Sequence, residues 1–332
     1  MRNLFISSFF FLISFTAAAH PGIGIVKDSK GNIFFTDLAN VWKISFLDGS
    51  KSKVVSNIHT HELYIDEHDN LFGEHLWYNG ESQNTWGHYA WCLKNTGELV
   101  KDINPTEEFL SNYSFIRDSS GNMYWVERFT TSRIMKKTKA GVITKLVEGK
   151  FGFIGWLTCT KNSSLYFTEN NKLHRLFADS KSDSYRMETL AENIGSKSTD
   201  FSMMGRNYDS YGIWTDAADN VYLAMIDSKK VIRIGSDGKP QTILASNSMW
   251  TVCSGIFDNG GNMWVLENSI SNQVRARKIT KEDLVSNKTT SSFKTNPHLL
   301  ITIFTIAGII LLFLAAKMIL NKRKQKLLHL AI

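Results

Sequence analysis

Cysteine is scarce in this chain of 332 residues: there are three, Cys92, Cys159 and Cys253. The number is odd and no spacing argues for a bridge, so buried free thiols are expected. Also missing is any basic stripe with interleaved aromatic residues. The net charge of +7 is spread thinly along the chain, with part of it in residues 321–332. That distribution argues against nucleic acid as a partner. Long apolar runs are confined to the two ends of the chain.

The ends read as topology signals. Arg2 precedes an apolar run over 4–15, and Thr16-Ala17-Ala18-Ala19 supplies small residues in an A-x-A-like pattern. Residues 1–19 therefore read as a secretory signal cleaved before His20. Residues 299–316 carry no charge, and the apolar character continues to Leu320 past Lys317. The stretch 299–320 is long enough for one transmembrane helix, and the basic cluster 322–326 marks the cytoplasmic side. The expected topology is a single-pass membrane protein: a folded part at 20–281 outside the cytoplasm, a stalk at 282–298, the span, and a short tail at 321–332. The span holds no G-x-x-x-G pattern and gives no argument for pairing within the membrane.

Between the ends one phrase recurs six times. It is a short apolar strand, a tight Asp/Gly/Asn turn, and a second strand ending in an ionisable residue, first seen in Asp28-Ser-Lys-Gly31-Asn32-Ile-Phe-Phe-Thr-Asp37. Asn32, Asn70, Asn122, Ser164, Asn220 and Asn262 hold matching places at intervals of about 40–55 residues. Asp accepts from nearby backbone amides and Gly-Asn tolerates positive φ, which favours a hairpin. A third strand of apolar–basic–apolar pattern follows, as in Val41-Trp42-Lys43-Ile44. A second turn such as Asp48-Gly49, Thr96-Gly97, Ala140-Gly141 or Asp237-Gly238 then introduces a fourth strand. Four strands in each of six units predict an all-β, six-bladed β-propeller. The last unit lacks an obvious fourth strand, with Leu284-Val285 as a candidate fragment.

The phrase G-[IL]-x-x-D-x-x-G-N-[IVM]-[YFW], then an acid, then x-[VI]-x-[KR]-I, resembles NHL-repeat propellers. It is similar also to the gluconolactonase and streptogramin-lyase propellers. It covers five units well and 157–169 loosely. The resemblance implies ligand binding on the face where the second strands end, which gathers Asp37, His75, Glu127, Glu169 and Glu267 around one mouth. These acids also suit a bland role, accepting backbone hydrogen bonds of the next turn.

The second unit departs from the pattern. Its hairpin reads Ile58-His59-Thr60-His61-Glu62-Leu63-Tyr64-Ile65-Asp66 and then Asn70-Leu-Phe-Gly-Glu74-His75. With Asp66 opposite Asn70, Glu62 is expected opposite Glu74, and His61 near His75. Two imidazoles and a carboxylate suit Zn²⁺, Mn²⁺ or Fe²⁺, with Ca²⁺ also considered. His61, His75, Glu62 and His59 are the candidate metal ligands, with Glu62, Glu74, His88 and Arg206 as acid, base or anion-clamping groups. Zinc held by histidines and divalent metal held by His and Glu are what the lyase resemblance implies. Those families draw ligands from several blades, whereas here the histidines cluster in one. A long loop over 76–89 carries Trp77, Tyr78 and Trp86, and a second connection over 194–210 carries Tyr208. These four residues are candidates for holding a small molecule, glycan or peptide. Two readings follow: a metal-assisted lyase or hydrolase, or a non-catalytic binding or interaction propeller at the cell surface.

Overall fold

The computed structural model describes residues 22–285 except 81, 104–114, 129, 161–162, 180–183, 196–209, 247–248 and 270. The leader 1–19, the residues 286–298 of the stalk, the apolar run 299–320 and the tail lie outside the described residues. No helix among the described residues is long and apolar enough to cross a membrane.

The six units fold as six antiparallel sheets, the blades of a β-propeller. Blade 1 is β1 (Ile25–Lys27), β2 (Ile33–Thr36), β3 (Asn40–Ile44) and β4 (Lys51–Ser56). Blade 2 is β5 (Leu63–Ile65), β6 (Leu71–Tyr78), β7 (Trp86–Leu93) and β8 (Leu99–Ile103). Blade 3 has β9 (Met123–Arg128), β10 (Ser132–Lys137) and β11 (Ile143–Gly149), and among the described residues its inner segment pairs through a bridge between Arg117 and Met123. Blade 4 is β12 (Ile154–Cys159), β13 (Leu165–Glu169), β14 (Lys172–Ala178) and β15 (Tyr185–Glu192). Blade 5 is β16 (Ser210–Thr215), β17 (Val221–Met225), β18 (Lys230–Ile234) and β19 (Pro240–Ala245). Blade 6 has three strands among the described residues, β20 (Trp250–Phe257), β21 (Met263–Ser269) and β22 (Val274–Ile279).

The repeated turn closes each first hairpin with a side-chain clasp. In blade 1, Asp28 accepts hydrogen bonds from the Asn32 backbone N–H (2.7 Å) and the Asn32 side-chain amide (2.6 Å). Asp66–Asn70, Asp118–Asn122, Asp216–Asn220 and Asp258–Asn262 repeat it. The residue before each Asn or Ser sits at positive φ: Gly31, Asp69, Gly121, Ser163, Asp219 and Gly261. The Asn side-chain oxygen then reaches the chain after the third strand. It accepts from the N–H of Phe46, Asn95, Lys139 and Lys281 in blades 1, 2, 3 and 6. One Asn thus fastens two turns of a blade to each other. Burial raises the Asp118 carboxyl, but hydrogen bonds from Asn122 and Tyr124 outweigh it and hold the group below its ordinary value.

The core lies between blades. Phe34, Val41, Leu63, Leu71 and Trp91 pack blade 1 on blade 2. Ile25, Ile33 and Phe35 pack on Leu266, Trp264 and Val274, so blade 6 meets blade 1 side by side and the ring closes by packing. Lys27 Nζ donates to Asn259 across that seam (2.7 Å). Leu284, expected in a strand fragment, lies instead in a short helix, α1 (Lys281–Val285), and packs against the core between blades 5 and 6. Thr280 caps it: the Asp283 N–H donates to Thr280 Oγ1 (3.2 Å), which favours a helical turn over a strand. All three cysteines are free, and burial pushes the Cys159 and Cys253 thiols up to about 12.

Asn262→Ala removes both links of one clasp and leaves the Asp258 carboxyl less satisfied. The expected loss is about 1–3 kcal/mol, seen as a lower thermal midpoint of the full chain by circular dichroism. An unchanged midpoint refutes the clasp as a stabilising element.

Candidate functional site

The inner segments of all six blades surround a cavity of about 480 Å³. Its lining includes the apolar and aromatic side chains of Ile25, Tyr64, Phe115, Trp156, Trp214 and Ile256, and polar atoms form nearly half of its wall. Its charged lining residues are Lys27, Glu62 and Arg117. Sequence reasoning missed Arg117, whose guanidinium lies 4.8 Å from the centre of the Tyr64 ring. The available signal was its place directly before the turn Asp118, which Lys27 shares before Asp28. Trp156, which the sequence motif does not include, meets Tyr211 edge-on at 5.8 Å.

Glu62 reaches this cavity because the chain before β5 leaves the expected ladder. The register Leu63↔Gly73, Tyr64↔Phe72 and Ile65↔Leu71 is as the hairpin pattern predicts. At Glu62 the pairing ends, so the expected face-to-face Glu62–Glu74 pair does not form. Glu74, 4% exposed, instead accepts from the backbone N–H of His61 and, at 3.2 Å, of Glu62. The His61 carbonyl in turn accepts from the N–H of Ile23 (2.9 Å) and Gly24 (2.7 Å). Thr60 donates to the Glu74 carbonyl. A carboxyl that looked catalytic therefore ties the rim of blade 2 to blade 1. The amides of His59, His61 and Glu62 needed acceptors there, and His75 Nδ1 and the Glu74 carboxyl supply them.

The histidines are placed around this joint. His61 Nδ1 lies 3.6 Å from Glu74 Oε1. The His59 and His61 rings stand 4.7 Å apart. His75 meets the amide of His59 rather than the ring of His61: the His59 N–H donates to His75 Nδ1 at 2.9 Å. Burial lowers His59 and pushes His61 down to about 4, while burial pushes Glu74 up to about 7. Both His61 and Glu74 are thus held neutral across much of the ordinary pH range. Among the described residues no three His, Cys, Asp or Glu side chains are grouped to hold a metal ion. The His75 Nδ1 is engaged by the His59 amide, and Glu74 is turned onto backbone amides.

The expected aromatic loop over 76–89 is an extension of the sheet instead. β6 and β7 continue as paired strands to Tyr78↔Trp86. Trp77 lies across from Gly87, and a Cβ added at Gly87 would stand 2.0 Å from its ring. Trp91 covers Gly73 in the same way, at 2.3 Å. Each indole takes the space left by a missing side chain, which is why the long stretch pairs rather than loops. His75 stacks on Trp77 (5.6 Å) and meets Tyr89 (5.0 Å). Tyr78 is exposed and donates to Asn84 Oδ1 (3.2 Å). The backbone pairs His88 with Leu76, one residue out of step with His75↔Tyr89. Arg206 and Tyr208 lie outside the described residues.

The strand-end acids are spent locally. Asp37 accepts from the N–H of Ala39 and Asn40 and from Trp42 Nε1. Glu169 accepts from the Gly152 N–H and pairs with His174 at 3.0 Å. Glu267, 1% exposed, is gripped by Arg275 (2.7 Å) and Arg277 (2.6 Å). Glu127 has Arg133 3.9 Å away. Of these acids Asp37 accepts from the turn that follows it, while Glu169 and Glu267 are paired with His174 and with two arginines.

The protein is therefore a six-bladed β-propeller with a central cavity of mixed apolar and polar lining. No protein-family model and no curated protein sequence matches the chain. Its fold is similar to that of solved propellers of the gluconolactonase-like class. A luciferin-regenerating enzyme is 13% identical (76% of this chain, 85% of that one, TM-score 0.53). An auxiliary nutrient binding protein from Bacteroides ovatus is 10% identical (77% and 69%, TM-score 0.52). A gluconolactonase from Xanthomonas campestris is 9% identical (77% and 85%, TM-score 0.51). Identities this low show the fold alone.

Two outcomes test the blade 2 geometry. Gly87→Ala displaces Trp77 and breaks its stack on His75, so near-ultraviolet circular dichroism loses intensity and the thermal midpoint falls; an unchanged spectrum refutes the packing. The second concerns pH. Glu74 has a raised folded-state pKa, so its contribution to stability is full below about 4.5 and is lost as pH rises through about 7. His61 has a lowered one, so its contribution is full above 6.5 and is lost as pH falls through about 4. Glu74→Gln removes only the first effect. The midpoint of the variant relative to the parent should therefore rise between pH 5 and pH 8. A constant difference across that range shows that Glu74 is ionised in the folded protein.

Proposed function

We propose that this chain is a membrane-anchored propeller, displayed outside the cytoplasm, that takes a small organic ligand into its central cavity. The observation that carries this reading is the lining of that cavity: apolar and aromatic side chains interleaved with polar atoms from every blade, with Glu62, Lys27 and Arg117 as its charged groups. Such walls with a few fixed polar groups suit a small molecule; Glu62 favours an amine or hydroxyls on it, and Lys27 and Arg117 favour an acceptor or anionic group. Anchoring rests on the leader at 1–19, the apolar run at 299–320 and the basic cluster at 322–326. Solved propellers with this fold include a nutrient binding protein and a gluconolactonase. Binding is favoured over turnover because Glu62 is the one carboxylate among the described lining residues, where acid–base hydrolysis commonly uses a positioned pair.

The test is thermal stabilisation of the full chain in detergent by tryptamine, its uncharged analogue 3-methylindole, and glucosamine. The amines should stabilise more than 3-methylindole, and Glu62→Gln should weaken amine binding about tenfold, equivalent to about 1.4 kcal/mol. Thr158→Trp fills the cavity and should abolish binding in a folded protein. Undiminished binding to Thr158→Trp places the site elsewhere. The metal-assisted lyase or hydrolase reading is separated by metal analysis after incubation with Zn²⁺, Mn²⁺, Fe²⁺ or Ca²⁺. About one ion per chain, lost in both His61→Ala and His75→Ala, replaces the binding reading.

A further inference from the structure

The Asn clasps define one face of the propeller. In blades 1, 2 and 3 the same Asn that closes the first hairpin holds the turn after the third strand, through the N–H of Phe46, Asn95 and Lys139. Both turns of each blade therefore share one end of the sheet. Neighbouring blades join at that end. The Ser29 hydroxyl and N–H donate to Asp69, Lys139 pairs with Glu67 at 3.2 Å, and Ser163 donates to Asp118. Large apolar side chains stand out from this face: Phe46 and Leu47 are 70% and 93% exposed, Leu99 51% and Val142 57%. Each lies at a tip or edge of a turn after the third strand, on three consecutive blades. Exposed apolar residues grouped in this way mark a contact surface.

The exit of the chain identifies what covers it. Blade 6 uses its own Asn262 to hold the Lys281 N–H, which places the start of α1 on the same face. Residues 286–298, which separate the described chain from the apolar run at 299–320, reach at most about 45 Å however they fold. Charges on the turns of this face are of both signs, Lys30, Lys94, Lys139 and Lys239 standing with Asp48, Glu67, Glu98 and Asp237, and with Asp69 and Asp219 on the acidic side. Lys94 pairs with Glu98 and Lys139 with Glu67. That balance fits a zwitterionic surface rather than a strongly anionic one.

We propose that the clasp face of the propeller rests on the bilayer surface, with Phe46, Leu47, Leu99 and Val142 entering the headgroup layer. The proposal rests on the anchored reading above. It points the opposite face, where the β6–β7 hairpin ends, away from the membrane.

The experiment places a nitrobenzoxadiazole label on Leu47→Cys, or on Gln83→Cys at the far end of blade 2. The full chain is reconstituted in phosphatidylcholine vesicles that contain a headgroup-proximal doxyl phosphatidylcholine. The parent chain, labelled in parallel, corrects for Cys92, Cys159 and Cys253. Quenching at position 47 should exceed that at position 83 several-fold, and Phe46→Ser combined with Val142→Ser should reduce it. Equal quenching at both positions in chains that survive an alkaline carbonate wash overturns the proposal and leaves the anchor intact. If the wash removes the chain, the anchor reading fails instead. The label at position 47 is then measured with added vesicles: quenching there sustains the lipid-facing surface, and none refutes it. Blue-shifted label fluorescence without quenching, growing with protein density, assigns the face to a second copy and also overturns the proposal.

Discussion

An aspartate and the asparagine four residues after it hold up five of the six blades. The hairpin turn leaves backbone amides without strand partners, and the Asp carboxylate accepts them. The Asn then donates to that carboxylate and accepts from the turn beyond the third strand, so two loops far apart in sequence become one rigid corner. Blade 4 manages with Thr160 and Ser164, and there Ser163 donates instead to Asp118 of blade 3. Everything else presupposes these corners: only with the blade ends fixed can Trp91, Phe35 and Phe167 be buried between sheets.

Blade 2 shows how the same accounting shapes a site. Its first strand is short, so the chain from His59 to Glu62 lies outside the β5–β6 ladder and carries amides into the interior. Glu74 satisfies two of them, at the cost of burying its carboxyl, and that burial raises its pKa. The result looks like catalytic equipment in sequence and works as a joint in space. Its functional consequence is indirect, because it sets Glu62 at the edge of the central cavity.

Much of the fold was legible in the sequence because its determinants are local. The turn phrase needs Asp, a residue tolerant of positive φ, and Asn within five positions, and each of these is visible one blade at a time. The hairpin register of β5 and β6 was readable for the same reason, up to Leu63. Legibility failed where a contact crosses strands or blades. The aromatic stretch at 76–89 was read as a loop because the fit of Trp77 over Gly87 cannot be seen until the two strands face each other. His75 was read as a partner of His61 because nothing in the spacing shows that the His59 amide intervenes. Arg117 drew no attention, since only ring closure turns the residues before the turn Asp toward a common cavity.

The sequence by itself determined the six blades, their turns, the free thiols and the apolar character of the two ends, all properties set by neighbours within a few residues. Tertiary structure alone decided that the strand-end acids are consumed by turns and arginines, that Glu74 is a tie rather than an exposed base, and that one cavity is shared by six blades. It also decided that Phe46, Leu47, Leu99 and Val142 lie on the face from which α1 departs. Those facts depend on which unsatisfied amide, which glycine gap and which neighbouring blade lies within reach, and that is fixed only when the ring closes.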